Sequence, residues 1–162
     1  MAEDIKGLLD DIGWKILEEL QANARISFAE LGRRVGLSTP AVIERVRRME
    51  ETEIILGYRT IVNLALTGHP IIAIVRISVV GDYLLRVSAV ARELSEVLEC
   101  HRVTGTDSFI LKLAVSSVEH LEWVIDKFTP YVATTTSLVL SSPVTNSIVR
   151  RPSPKDSRPL AP

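Results

Sequence analysis

The sequence predicts an α+β chain: a helix-turn-helix at the amino end followed by a βαββαβ module. Three observations carry this prediction. The amino-terminal third repeats apolar residues at three- and four-residue spacing, interrupted by a glycine turn. Residues 71–140 switch between alternating and helical spacing. Thr67, Gly68, His69 and Pro70 punctuate the join between the two patterns.

Leu9, Ile12, Ile16, Leu17 and Leu20 form the stripe of a first helix, with Gly13 inside it at a cost of about 1 kcal/mol against alanine. A second helix begins at Ser27. Ser27 and Glu30 make a capping box, each side chain taking a free backbone N–H of the helix start. Phe28, Leu31 and Val35 supply its apolar face, and Gly36, Leu37 and Ser38 form a turn. Thr39 caps a third helix, with Pro40 at its first position, where a missing N–H does no harm. Val42, Val46 and Met49 face inward, and the helix ends near Thr52. The helix-turn-helix domain is therefore 1–52. Strand-forming residues broken by Gly57 and Asn63 make 53–69 a short strand and linker.

In the second module, 70–148, residues 71–80 read as a strand and 84–94 as a helix with Val87, Val90, Ala91 and Leu94 inward. Residues 97–104 and 108–115 are strands about a tight Gly105-Thr106-Asp107 turn. The second of these strands keeps Phe109, Leu111, Leu113 and Val115 on one face. Residues 118–128 are a helix with Val118, Leu121, Val124, Ile125 and Phe128 inward, and 134–140 a closing strand. This order builds an antiparallel sheet with both helices on one face. Ile72, Ile74, Ile110 and Ala114 lie opposite Ala73, Val75, Ile77, Leu111 and Leu113, so two strands are apolar on both sides. Either another subunit covers the second face, or the linker or first domain does. Strands buried on both sides lose polar alternation, which favours the subunit. Residues 149–162 hold four of the eight prolines and four basic residues against one acidic. A disordered tail is expected there, either a solvated end or a contact to DNA phosphates.

Composition narrows the function classes. The 162 residues suggest about one domain, or two small ones. With 19 basic and 20 acidic residues the net charge is -1, which excludes a protein that coats nucleic acid by charge alone. The longest strictly apolar run, residues 71–75, falls far short of the roughly 18 needed for a membrane span. No secretion signal opens the chain, and Cys100, the single cysteine, can make neither an internal disulfide nor a multi-cysteine metal cage. A cytoplasmic protein without metal, cofactor or membrane partner is expected.

Charge is distributed unevenly. Between residues 33 and 48, Arg33, Arg34, Arg45, Arg47 and Arg48 face only Glu44, a local charge of +4. Arginines outside a third helix can neutralise DNA phosphates. Ser38, Thr39, Ala41 and Arg45 lie where a helix-turn-helix reaches base edges, and Arg can bind guanine through two bonds. The DNA-binding candidates are Ser27, Ser38, Thr39, Pro40, Arg45, Arg47 and Arg48. No catalytic constellation emerges: His69, His101 and His120 lack metal-ligand spacing on one element. His101, Asp107 and Ser108 resemble a nucleophile set only superficially, without a strained turn or oxyanion loop. Cys100 reads as a small buried hydrophobe. Around Gly105, exposed backbone N–H groups could hold an anion, and Asp107 an ammonium, as an amino acid requires. Gly and Asp are equally the residues of a plain hairpin turn.

In order and spacing, several segments resemble the leucine-responsive regulator/asparagine regulator (Lrp/AsnC) family of feast-and-famine transcription factors. They are Leu9-Asp10-Asp11-Ile12, Ile16-Leu17, Ala24-Arg25-Ile26-Ser27, Leu37-Ser38-Thr39-Pro40-Ala41-Val42, Glu44-Arg45-Val46-Arg47-Arg48-Met49-Glu50, Ile55 with Gly57-Tyr58, Glu99-Cys100-His101-Arg102-Val103-Thr104-Gly105 and Asp107-Ser108-Phe109-Ile110-Leu111-Lys112. The resemblance runs from about Leu8 to Arg150. It implies a winged helix-turn-helix and a ferredoxin-like sensing module, with homodimers that assemble into octamers or similar discs on double-stranded DNA. It also implies a small effector, usually an amino acid, bound between sensing modules. Thr104, Gly105, Thr106, Asp107 and Ser108 are its implied contacts, with Thr135, Thr136 and Ser137 as second-line ones. Three positions depart from the family's pattern. Gly13 replaces a common acidic residue, and Val132 a common glycine. Thr106 and Ser108 stand where many amino-acid-responsive members are acidic, which points away from leucine, asparagine or lysine. A sirohaem-decarboxylase-like enzyme would use the same two modules, but the Ser-Thr-Pro helix start and three arginines speak against it. The intact basic helix speaks against a stand-alone metabolite-sensing interaction protein.

Overall fold

Asp10 divides the first predicted helix in two. Its backbone is extended and its carboxylate accepts the Gly13 N–H at 2.8 Å, so α2 (Asp11–Ala22) starts afresh after α1 (Ala2–Leu8). In the computed structural model, which describes residues 2–79, 83–129 and 132–153, two compact units form. One lies within Met1–Thr60 and Val144–Pro162, the other within Ile61–Pro143.

Gly13 is where α1 and α2 close on each other. A Cβ there would stand 1.8 Å from the Leu8 carbonyl oxygen, so the glycine is a requirement of the close approach and not a softening of the helix. α3 (Phe28–Val35) begins at Ser27, whose hydroxyl accepts the Glu30 N–H at 3.2 Å. Only half of the expected capping box forms, because Glu30 turns to Arg33 and Arg34 instead. Phe28, expected inward, is 42% exposed at the helix start. Gly36 ends the helix at φ 76°, and its N–H, like that of Leu37, reaches the Gly32 carbonyl. The cap of α4 (Thr39–Glu51) is Ser38, not Thr39: its hydroxyl accepts the Ala41 N–H, which makes Thr39 and Pro40 the first helical residues. Leu8, Ile16, Leu20, Leu31, Val35, Val42, Val46 and Met49 form this unit's core.

Two expectations at the unit's edges are corrected. No strand forms within residues 53–69, because a ladder needs a partner and none of the described residues provides one. Ile54 and Ile55 pack on the first core instead, and the Tyr58 hydroxyl donates to Glu50 at 2.8 Å. The tail beginning at Val149 is anchored where disorder was expected. Gln21 pairs with both backbone groups of Val149, accepting at 2.7 Å and donating at 2.9 Å, and Arg151 pairs with Asp11. A single side-chain amide thus does for one extended residue what a neighbouring strand would do. The rest of the tail, residues 154–162, and Val80 of the first strand lie outside the described residues.

The second unit is the expected sandwich. Its elements are β1 (Ile71–Ser78), α5 (Leu84–Glu93), β2 (Val97–Arg102), β3 (Phe109–Val115), α6 (Val118–Asp126) and β4 (Ala133–Leu138). The sheet order is β2-β3-β1-β4 and every neighbouring pair is antiparallel. Ala73, Val75, Ile77, Val87, Ala91, Phe109, Leu111, Leu113, Leu121, Val124 and Phe128 are buried between sheet and helices, and Val132 packs against them. Val118, expected inward, is 58% exposed at the start of α6. Cys100 is exposed rather than buried, because β2 is an edge strand with one neighbour. Partial desolvation still pushes its thiol up, away from reactive thiolate. No helix among the described residues is long and apolar enough to cross a membrane.

Candidate nucleic-acid interface and glycine turn

The first unit presents the start of α4. Val42, Val46 and Met49 are buried, which turns Ser38, Thr39, Pro40 and Ala41 to the surface. These are the residues that the second helix of a helix-turn-helix lays in a major groove. Ser27, at the start of α3, is exposed too, with its hydroxyl engaged in capping.

The basic cluster is less bare than the sequence window suggests. Folding brings in carboxylates from outside residues 33–48. Glu30 binds Arg33 and Arg34 at 2.7 Å each, and Glu19 binds Arg34 at 2.7 Å. Arg47 is held by Glu44 at 2.6 Å and by Glu51. The Arg33 and then Arg34 hydrogen bonds hold the Glu30 carboxyl at about 2, and Arg47 lowers that of Glu44. Such exposed pairs stabilise little, so a phosphate can displace them.

Arg45 has another task. Its side chain is only 21% exposed, it pairs with Asp10, and it donates to the Gly7 carbonyl at 3.2 Å. A cation at the carboxyl end of α1 also meets that helix's negative end. Arg45 thus fastens α4 to the α1–α2 turn, which corrects the expectation that it is presented to guanine. Asp10 is the partner that sequence reasoning missed: the Gly13 N–H, then Arg45, lower its pKa. Arg48 lies exposed on α4 beside Ala41 and Glu44, along a shallow groove of about 460 Å³.

In the second unit, the 104–108 turn sits at the carboxyl end of β1. Ser108 N–H donates to the Ile77 carbonyl at 2.8 Å, and its hydroxyl accepts the Val79 N–H at 3.2 Å. Ser78 reaches the Thr106 carbonyl at 3.2 Å and Asp107 Oδ1 at 3.3 Å. Ser108 is therefore committed to the framework. Gly105 takes φ 112°, and among the described residues the N–H groups of Thr104, Gly105, Thr106 and Asp107 donate to nothing. Thr135 pairs with Arg76 and Ser137 with Ile74, on the sheet face away from the helices. Thr136 pairs with Val75 and so lies on the helix face, which separates it from the other two. His101 does not approach Asp107; it meets Glu99 at 3.3 Å. The missed residue is Arg76, whose Nη1 stands 3.9 Å from Asp107 Oδ2. A charge that ends an apolar run on a strand apolar on both faces was the available signal.

Residues 9–50 match the AsnC-type helix-turn-helix domain and residues 72–149 the Lrp/AsnC ligand binding domain. The chain belongs to the Lrp/AsnC family. The HTH-type transcriptional regulator LrpC of Bacillus subtilis is 36% identical over 133 residues, 82% of this chain and 92% of that protein. Its solved structure superimposes with a TM-score of 0.80 over 85% of this chain and 98% of that one, at 37% identity. The leucine-responsive regulatory protein of Haemophilus influenzae is 40% identical over 113 residues, 68% of each chain. A feast or famine regulatory protein from M. tuberculosis, solved in complex with L-methionine, matches with a TM-score of 0.81 and 30% identity, covering 88% and 99% of the two chains. As an Lrp/AsnC member the chain is a DNA-binding transcriptional regulator with a winged helix-turn-helix and a ferredoxin-like ligand-binding domain.

Proposed function

We propose that this Lrp/AsnC regulator binds specific sites on double-stranded DNA as a homodimer or a larger, octamer-like assembly. A small metabolite bound near the 104–108 turn, between ligand-binding domains of neighbouring subunits, shifts its assembly or DNA affinity. The observation that carries the DNA reading is the exposed start of α4, where Ser38, Thr39, Pro40 and Ala41 stand clear of the buried Val42 and Val46. Thr39 and Arg48 read bases or neighbouring phosphates, while Arg33, Arg34 and Arg47 exchange carboxylates for phosphates. The apolar sheet face of Ile72, Ile74 and Ile110, none of them fully buried in the single chain, supports a second subunit. The unpaired N–H groups of the turn support a ligand with an anionic group. An amino acid is the preferred class, since a relative of this fold was solved with L-methionine. A ligand acts here only through different affinities for alternative assemblies.

The test is gel-shift binding to DNA upstream of the protein's own gene, against random competitor at fixed salt, with and without a pool of the twenty amino acids. A specific shift that Thr39→Ala or Arg48→Ala weakens by roughly 1–3 kcal/mol, with relaxed base preference, supports base reading. Equal weakening on specific and random DNA reduces those residues to phosphate contacts. A complex unchanged by the pool sinks the amino-acid reading.

A further inference from the structure

We propose that Arg76 decides the chemical class of the effector, a small carboxylate gripped by its guanidinium on the open sheet face beside Thr135 and the 104–108 turn. This inference rests on the effector reading above and names the group that the ligand must carry. Arg76 sits in β1, a central strand, with Ile110 across from it on β3 and Thr135 on β4. Its strand neighbour on the same face is Ile74. An arginine on such a face is anomalous. It carries five N–H donors, yet among the described residues it makes no hydrogen bond.

Its ionic neighbour does not satisfy it. Asp107 Oδ2 stands 3.9 Å from Nη1, too far for a hydrogen bond, and Oδ1 lies 3.3 Å from the Ser78 hydroxyl. The side chain is half exposed, at 50%. Any subunit that covers the isoleucines would leave an unmatched cation at the covered edge, a costly arrangement unless an anion arrives with it. A carboxylate fits best, because a planar guanidinium binds it through two parallel charge-assisted bonds. The four unused N–H groups of residues 104–107 add donors nearby. Asp107 then faces whatever is attached to the carboxylate. An ammonium there makes the ligand an amino acid; a keto group makes it a 2-oxo acid.

Isothermal titration of the full-length protein tests this. The probes are the twenty amino acids singly, their 2-oxo acids, and the amines that lack the carboxylate. We expect an amino acid or its oxo acid to bind and the matching amine to fail. Arg76→Gln loses about ten- to a hundredfold in affinity, the loss of charge-assisted bonds. Arg76→Lys, which keeps the charge but not the fork, falls between. If the amine binds as well as its parent, or Arg76→Gln binds as tightly as the wild type, this inference falls while the effector reading survives. If no probe binds the wild type, the effector reading falls and Arg76 with it. Size-exclusion light scattering supplies the control. Dissociation of the ligand-free Arg76→Gln assembly would make Arg76 a subunit contact and overturn the proposal.

Discussion

Arg45 of the first unit and Arg76 of the second each stand beside an aspartate, and the fold uses them in opposite ways. Arg45 is in contact with Asp10, donates to the Gly7 carbonyl and is largely covered. Arg76 is half exposed, 3.9 Å from Asp107, and without a hydrogen bond among the described residues. The units differ likewise as wholes. In the first, Arg33, Arg34, Arg45 and Arg47 are all paired with carboxylates, and two glycines sit where backbones nearly touch. In the second, a cation and four N–H groups lie open around one turn. A paired arginine reports on the architecture that pairs it, and an unpaired one in an apolar setting reports on something outside the chain.

The largest expected effect is at Gly13. Gly13→Ala drives a Cβ into the Leu8 carbonyl and should destabilise the first unit by about 3 kcal/mol, despite alanine's better helix propensity. Gly7→Ala, which meets nothing within 4 Å, should stabilise by up to about 1 kcal/mol. Urea unfolding followed by the two units' own amide signals would check both. A Gly13→Ala unit as stable as the wild type would show that α1 can move aside freely.

Next in size is the arginine pair itself. Arg45→Ala should cost the first unit about 2 kcal/mol, since it strips charge-assisted bonds from Asp10 and from the end of α1. Arg76→Gln should leave the second unit within about 0.5 kcal/mol of the wild type. Equal losses in the same unfolding experiment would erase the contrast between them.

A smaller effect belongs to the paired surface. Glu44→Gln removes one of Arg47's two carboxylate partners. Random-sequence DNA should then bind more tightly, and the plot of log affinity against log salt should steepen by roughly 0.9 for each further phosphate neutralised. An unchanged slope would mean that Arg47 does not face the DNA.

The smallest effect is in acid. The folded Glu30 carboxyl titrates at about 2 against an ordinary 4.5. A depressed folded pKa contributes stability that is fully present above about 4.5 and lost as pH falls toward 2. Asp10, also lowered, contributes in the same direction. Carboxyl carbon shifts in a pH titration should give Glu30 a midpoint near 2, returning toward 4.5 when Arg33 and Arg34 are both changed to Gln. A Glu30 midpoint near 4.5 in the unaltered protein would show that the pair with Arg33 is not kept in solution.

What the sequence determined by itself is what depends on neighbours along the chain. Helical spacing placed Val42, Val46 and Met49 inward, and alternation placed Phe109, Leu111 and Leu113 on one sheet face, because these periods are properties of the local backbone. Ser38 and Gly36 announced the turn before α4 for the same reason. Tertiary structure alone decided matters that join distant residues. It brought Asp10 to Arg45 and Glu19 to Arg34, and so converted a counted charge of +4 into a set of ion pairs. It put the Leu8 carbonyl against Gly13, Gln21 against Val149, and Thr136 on the other side of the sheet from Thr135. Residues 53–69 have strand-forming side chains but no strand, because pairing needs a second backbone that local preference cannot supply. Arg76 belongs to both accounts. Its oddness shows in the run it interrupts, but its unused donors appear only once the sheet is assembled around it.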